Sequence, residues 1–195
     1  MSIQQDSAAR DLSDDLVLRA RTDREAFGQL YDAYHPRIYR YCFRRLFLRA
    51  VAEDVTAETF LHVASNMGQF TGDREEDFRR WVFRIATNEV NAYLRQTKRR
   101  KMLWEAAVES GRLAGDGNHP PGPLNVELLD WPIVYQAILR LKARDQAILV
   151  LRFFEQMSHE EIAEVLHERP ATIRVALNRA LQTLRKRFNT VNGWK

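Results

Sequence analysis

Cysteine is nearly absent from this 195-residue sequence. Cys42 stands alone, which excludes an internal disulfide framework. The five histidines are scattered, and no Cys/His cluster suggests a metal. One stretch, HEEIA at 159–163, opens like the zinc-protease pattern H-E-x-x-H, but Ala163 stands where the second ligand would be. His35, His62, His119 and His167 are isolated, and no nucleophile lies in a recognisable relation to a base. No catalytic residue, metal ligand or cofactor is therefore expected, and the chain reads as something other than an enzyme. Long apolar runs are missing too: none approaches the roughly 20 residues that cross a bilayer. The start, MSIQQDSAARDLSDD, is polar and acidic where a secretory signal would be basic and then apolar. A cytoplasmic protein without membrane insertion is the expectation. Alternating strand patterns are absent as well, so the fold is expected to be all-α.

What the sequence does have is an uneven distribution of charge. The net charge of +4 is modest, yet residues 1–36 carry seven acids against four Arg, whereas 78–101 carry eight bases against Glu89 alone. A second basic zone covers 169–187. Helical periodicity dominates except between 101 and 131, where GDGNHPPGP places three Gly and three Pro in nine residues. That composition predicts a flexible linker between two small helical domains. In the first, Ser13 reads as an N-cap with acids in the first turn, and Phe27, Leu30, Tyr31, Tyr34 and Ile38 continue an apolar face, with Pro36 a candidate break or kink. A second helix is expected over 51–67, the turn-like NMGQFTGD after it, and a third helix over 77–99.

The C-terminal stretch SHEEIAEVLHERPATIRVALNRALQTLRKRF (158–188) opens with four acids and closes with six bases. Ser158 and Glu161 form a capping box, HERP makes a short turn, and Pro170 suits the first position of the next helix. Two helices so joined are a helix-turn-helix. At 100° per residue, Ala171, Arg174, Val175, Asn178, Arg179, Gln182, Arg185 and Lys186 share one face, and Ile173, Ala176, Leu177, Ala180, Leu181, Leu184 and Phe188 the other. Arg and Asn on the polar face match guanine and adenine edges in the major groove, while the acidic first helix would cross above it. A solvated basic face remains the plainer alternative for such a pattern.

In the third predicted helix, Arg80, Arg84, Asn88, Asn91 and Arg95 fall in one wedge, able to follow a nucleic-acid backbone. Phe78, Trp81, Phe83 and Tyr93 lie beside it, either to stack on bases or as plain core. Asp54 and Glu58 are a like-charge i, i+4 pair, unfavourable by roughly 0.2–0.5 kcal/mol in an isolated helix unless a basic partner meets them. A solvated acidic face explains them equally well.

Three runs carry a resemblance: D-V-x-x-E-x-F at 54–60, W-x-x-R-I-A-x-N at 81–88 and E-I-A-x-x-L at 161–166. With the linker between them, they make residues 22–188 resemble the extracytoplasmic-function (ECF) sigma factors of bacterial RNA polymerase. The resemblance implies a promoter-specificity subunit without chemistry of its own. Its partners would be core RNA polymerase (the beta-prime clamp and beta flap), promoter DNA and, as in many relatives, an anti-sigma factor. It implies a leader and the start of the first helix at 1–21, region 2 at 22–100, a linker at 101–131, region 4 at 132–188 and a tail at 189–195. Glu53, Asp54 and Glu58 would dock on polymerase. Asn66, Arg80, Trp81, Arg84, Asn88, Asn91 and Arg95 would melt and read the minus-10 element, capturing a flipped-out base. Ala171, Thr172, Arg174, Val175, Asn178 and Arg179 would read the minus-35 element. His167 stands where relatives commonly carry Gly, Arg169 where they carry a Ser/Thr cap, and Glu75 and Glu76 are expected to lengthen the minus-10 loop. The residues alone leave open an autonomous helix-turn-helix regulator, which would bind duplex operator without polymerase.

Overall fold

The computed structural model describes residues 13–109, 137–138 and 141–192. Every regular element among them is helical. The described residues divide into two compact units, 13–89 with 164–167 in the first and the remainder in the second.

The first unit begins with α1 (Asp14–Arg19), where the Ser13 hydroxyl accepts from the Leu16 N–H at 3.3 Å and two acids follow in the first turn. The apolar face does not run on unbroken. The chain turns over 20–23, and Asp23 caps a new helix, α2 (Arg24–Leu46), by accepting from the Glu25 N–H at 2.8 Å. Pro36 neither ends nor interrupts α2. Buried Leu30, Tyr34, Ile38 and Tyr41 on either side of it outweigh the one backbone bond that proline removes. Phe47, at a left-handed φ of 57°, closes α2 with its N–H on the Phe43 carbonyl. α3 (Arg49–Asn66) packs against α2 and ends in a 3-10 turn, Met67–Gln69.

After a loop at 70–74 comes α4 (Glu75–Glu109), which departs from expectation at both ends. Glu75 and Glu76 do not lengthen the loop; they form the first turn of the helix, where acids oppose the macrodipole favourably. The other end passes ten residues beyond the predicted stop. KMLWEAAVE is rich in strong helix formers, and Lys101 lies 3.7 Å from Glu105 one turn on. The expected linker thus loses 101–109 to helix, and its Gly/Pro-rich part lies outside the described residues. α2 and α4 are joined through a buried polar chain. Arg45, 1% exposed, donates to the Tyr41 hydroxyl at 2.8 Å, which lies 2.7 Å from the Thr87 hydroxyl. Cys42 is buried beside this chain, its thiol pushed up to about 12 by desolvation, so it behaves as a small apolar side chain.

Further along the chain come α5 (Ala143–Phe153), α6 (His159–Leu166) and α7 (Pro170–Asn192). The predicted capping box is present in full: the Ser158 N–H donates to Glu161 at 2.7 Å and the Glu161 N–H to the Ser158 hydroxyl at 3.1 Å. α6 ends in a Schellman motif, with His167 at φ 53°, its N–H on the Glu164 carbonyl and the Glu168 N–H on the Ala163 carbonyl at 2.9 Å. This is the position where Gly was missing, and histidine accepts the left-handed conformation there. Ile162, Ala163, Val165, Ile173, Ala176, Leu177 and Ala180 are buried, and α5 packs against α7. The expected onset of helix near 133 lies outside the described residues.

Candidate nucleic-acid interface

On α3, Glu53, Asp54 and Glu58 are all exposed. They differ in what holds them. Glu53 accepts from Arg49 at 2.9 Å and Glu58 lies 3.7 Å from His62, whereas Asp54 makes no hydrogen bond or ion pair among the described residues. Glu58 thus has an imidazole beside it, whereas Asp54, one turn away, is an exposed carboxylate with none.

The start of α4, the end of α3 and the segment at 69–70 border an open cavity of about 440 Å³. Its lining brings together Asn66, Trp81 and Asn88, three of the residues singled out from sequence, with His62, Gln69, Phe70, Ile85 and Glu89. Phe70 and Trp81 stack, with centroids 4.7 Å apart and planes 28° from parallel, and Phe78 meets Phe70 edge-on at 6.0 Å. Asn66 is anchored by its amide on the His62 carbonyl at 2.8 Å. His62, read from sequence as isolated, is in fact 2.9 Å from Glu89 through Nδ1, with Glu58 near its other nitrogen. The partner sits 27 residues away on another helix, a separation beyond any periodicity argument. Phe70 was missed for the same reason, although it opens the FTGD turn.

Arg80, Arg84, Asn91 and Arg95 do not line the cavity. Arg80 is half-buried and donates to Asp77, Arg84 and Asn91 are half-buried on α4, and Arg95 is exposed. Of the four aromatics placed near the stripe, Phe78 and Phe83 are fully buried core, Tyr93 is half-buried, and Trp81 alone faces the cavity. The arrangement suits an unstacked base: an aromatic pair for its face and amide and carboxylate groups for its edges.

On α7, Ala171, Arg174, Val175, Asn178 and Arg179 are exposed, as the face arithmetic required, and Thr172, which lay outside that arc, is exposed too. Leu181 departs from the apolar side with 39% exposure. Arg144 grips the turn ahead of α7 by a bidentate pair with Glu168, Nε to Oε1 at 2.5 Å, and that guanidinium holds the Glu168 carboxyl below its usual range. The Arg169 carbonyl accepts the Thr172 N–H at 2.9 Å, so α7 starts on backbone bonds where a Ser/Thr cap was missing.

The Sigma-70 region 2 family matches residues 30–100, and Sigma-70, region 4 matches 132–184. Among curated relatives, the chain is 33% identical over 173 residues to the ECF RNA polymerase sigma factor BldN of Streptomyces coelicolor, covering 87% of this chain and 63% of that protein. It is 29% identical to SigW of Bacillus subtilis over 85% of this chain and 90% of SigW, and 30% identical to the RNA polymerase sigma-H factor of Pseudomonas aeruginosa over 85% and 88%. The chain thus spans less than two thirds of BldN but most of the other two. Its fold is similar to that of CnrH in complex with the cytosolic domain of CnrY, with TM-score 0.66, 21% identity and coverage of 92% and 99%. It is similar also to RpoE with the anti-sigma factor NepR from Bartonella quintana, with TM-score 0.62, 19% identity and coverage of 84% and 96%. Both family regions in order, joined to two helical units, make this chain a member of the ECF sigma factors, the promoter-recognition subunits of RNA polymerase.

Proposed function

We propose that this sigma factor carries core RNA polymerase to promoters by three separate surfaces and performs no covalent chemistry itself. The exposed acids of α3, Glu53, Asp54 and Glu58, meet a basic surface of the polymerase clamp, and the C-terminal unit meets the beta flap. The cavity at the start of α4 captures one flipped-out base of the minus-10 element, with Arg80, Arg84, Asn91 and Arg95 following the strand. The exposed face of α7 reads the minus-35 element in the major groove. Region 2 then covers 22–100 and region 4 covers 132–188, the intervening segment joining two promoter contacts made at once.

The observation that carries this reading is the stacked Phe70–Trp81 pair at the wall of a cavity that also holds Asn66 and Asn88. A base that leaves the duplex loses its stacking, and an aromatic wall restores about 1–3 kcal/mol of it. A cytoplasmic location follows from work on polymerase, and none of the described helices is long and apolar enough to cross a membrane. RpoE, of similar fold, is held by an anti-sigma factor, which supports the same kind of inhibitor here.

The test is run-off transcription from a genomic library with core polymerase and the full chain. Initiation confined to a set of related promoters is expected, and equal initiation from random templates would defeat the reading. Strong duplex binding by the chain alone would favour an autonomous regulator. Asp54→Arg is expected to weaken holoenzyme assembly roughly tenfold or more while leaving the fold intact, because it sets like charge against like at the interface. Unchanged assembly would remove Asp54 from the docking surface.

A further inference from the structure

Arg21 lies in the turn between α1 and α2, ahead of the stretch matched by region 2. Its guanidinium reaches the loop at 70–74, touching residues 51 and 52 positions away in sequence. Nη2 donates to the Gly72 carbonyl and to the Asp73 carboxylate, the latter at 2.9 Å, and the guanidinium carbon lies 5.8 Å from the centre of the Phe70 ring. One side chain thus touches a carbonyl, a carboxylate and the aromatic wall of the base cavity. The loop is crowded at that point. A Cβ on Gly72 would come within 2.5 Å of the Phe70 ring and of the Asp77 Cβ. Asp77 fixes the far end of the loop by accepting the Asp73 and Arg74 N–H groups at 3.2 Å each. Asp14 on α1 accepts the Glu75 N–H at 2.9 Å, so the N-terminal segment holds the first turn of α4 as well as the loop before it.

We infer that Arg21 is a positioning residue for the minus-10 cavity: it holds Phe70 against Trp81 by bracing Gly72 and Asp73 from outside region 2. Its functional part rests on the reading of that cavity as a base site. Without the brace, Asp77 still holds the Asp73 and Arg74 N–H groups and Phe70 still leans on Trp81 and Phe78, but the Gly72 carbonyl and the Asp73 carboxylate lose their guanidinium, and ordering that part of the loop becomes a cost met when the base enters. Nη2 alone makes both bonds while the flat guanidinium faces the Phe70 ring; a lysine keeps the charge and can donate, but it lacks the planar group that lies against Phe70 and so holds the loop less firmly.

The test uses the full chain with Trp104, Trp131 and Trp194 changed to Phe, which leaves Trp81 as the only fluorophore of its kind. In the free protein, Arg21→Ala is expected to increase acrylamide quenching of Trp81, and Arg21→Lys to do so by less. In holoenzyme, Arg21→Ala is expected to weaken binding of a single-stranded minus-10 oligonucleotide roughly two- to tenfold, the scale of ordering one or two interface side chains, with affinity for core polymerase unchanged. A folded Arg21→Lys variant that matches the parent in both quenching and oligonucleotide binding overturns the inference, whether or not Arg21→Ala folds. If the parent holoenzyme fails to bind the oligonucleotide, the base-site reading falls, and the quenching comparison alone decides whether Arg21 holds the loop.

Discussion

Around the cavity, Asn66 is anchored on the His62 carbonyl, Trp81 is stacked on Phe70 and Arg80 is held by Asp77. Along α7, Arg174, Asn178 and Arg179 are exposed, and their side chains make no hydrogen bond or ion pair among the described residues. The contrast follows from what each surface is proposed to read. A flipped base brings no frame with it, so the protein must supply a preformed slot. A duplex is itself a rigid frame, so side chains entering its groove can order on contact, at the cost of their rotamer freedom. Damage to the first surface should therefore couple recognition to local stability, and damage to the second should touch recognition alone.

The largest effect should come from Trp81→Ala. It removes the stacking platform and the support of Phe70 together, and is expected to cost toward the upper end of the ~1–3 kcal/mol that base stacking supplies. Binding of holoenzyme to a single-stranded minus-10 oligonucleotide measures this directly, and chemical denaturation of the free chain should register a loss too. Recognition lost with no change in stability would break the proposed coupling. Next come Arg174→Ala and Asn178→Ala, each expected to cost toward the lower end of ~1–3 kcal/mol, and only at particular minus-35 bases. Unfolding of the free chain should not move. Uniform weakening on every sequence would make these phosphate contacts, and a stability loss would mean the face is not free.

The two surfaces also differed in how far the sequence discloses them. The α7 face is set by residues within two turns of one another, so 100° arithmetic finds it, and the Ser158–Glu161 box fixes where its supporting helix starts. The cavity is set by pairings between distant segments: His62 with Glu89, Phe70 with Trp81, Arg21 with Gly72. Periodicity finds Trp81 and Asn88 because they lie on one helix, but says nothing of who stands opposite. The continuation of α4 past 100 was legible in principle. Strong helix formers occupy 101–109, but the Gly/Pro cluster a few residues later dominated the reading. Arg45 carries no signal in the sequence: it is buried, with Nη1 donating to the Tyr41 hydroxyl one turn before it, a pairing no charge pattern discloses.

The smallest effect concerns what the α7 surface does depend on, the hold of Arg144 on the turn before it. The pair is bidentate, but Arg144 is 41% exposed, so solvent screening limits Glu168→Gln to a loss of about 0.5–1 kcal/mol in unfolding at neutral pH. The Arg144 guanidinium lowers the Glu168 carboxyl below its ordinary 4.5, which means the folded chain binds that proton less readily than the unfolded one. The contribution is therefore complete above the ordinary carboxylate value and is lost as the pH falls below it toward the depressed folded value. Urea titrations of the parent and Glu168→Gln chains at several pH values should show a gap that is constant from neutral pH down to about 5 and closes in more acid solution. A gap that persists in acid would assign the effect to packing of the glutamate stem. Since Glu168 is the residue that follows left-handed His167 in the turn, the same substitution should reduce minus-35 binding by less than Arg174→Ala does, because it loosens the mounting of the reading helix without removing any group that reads.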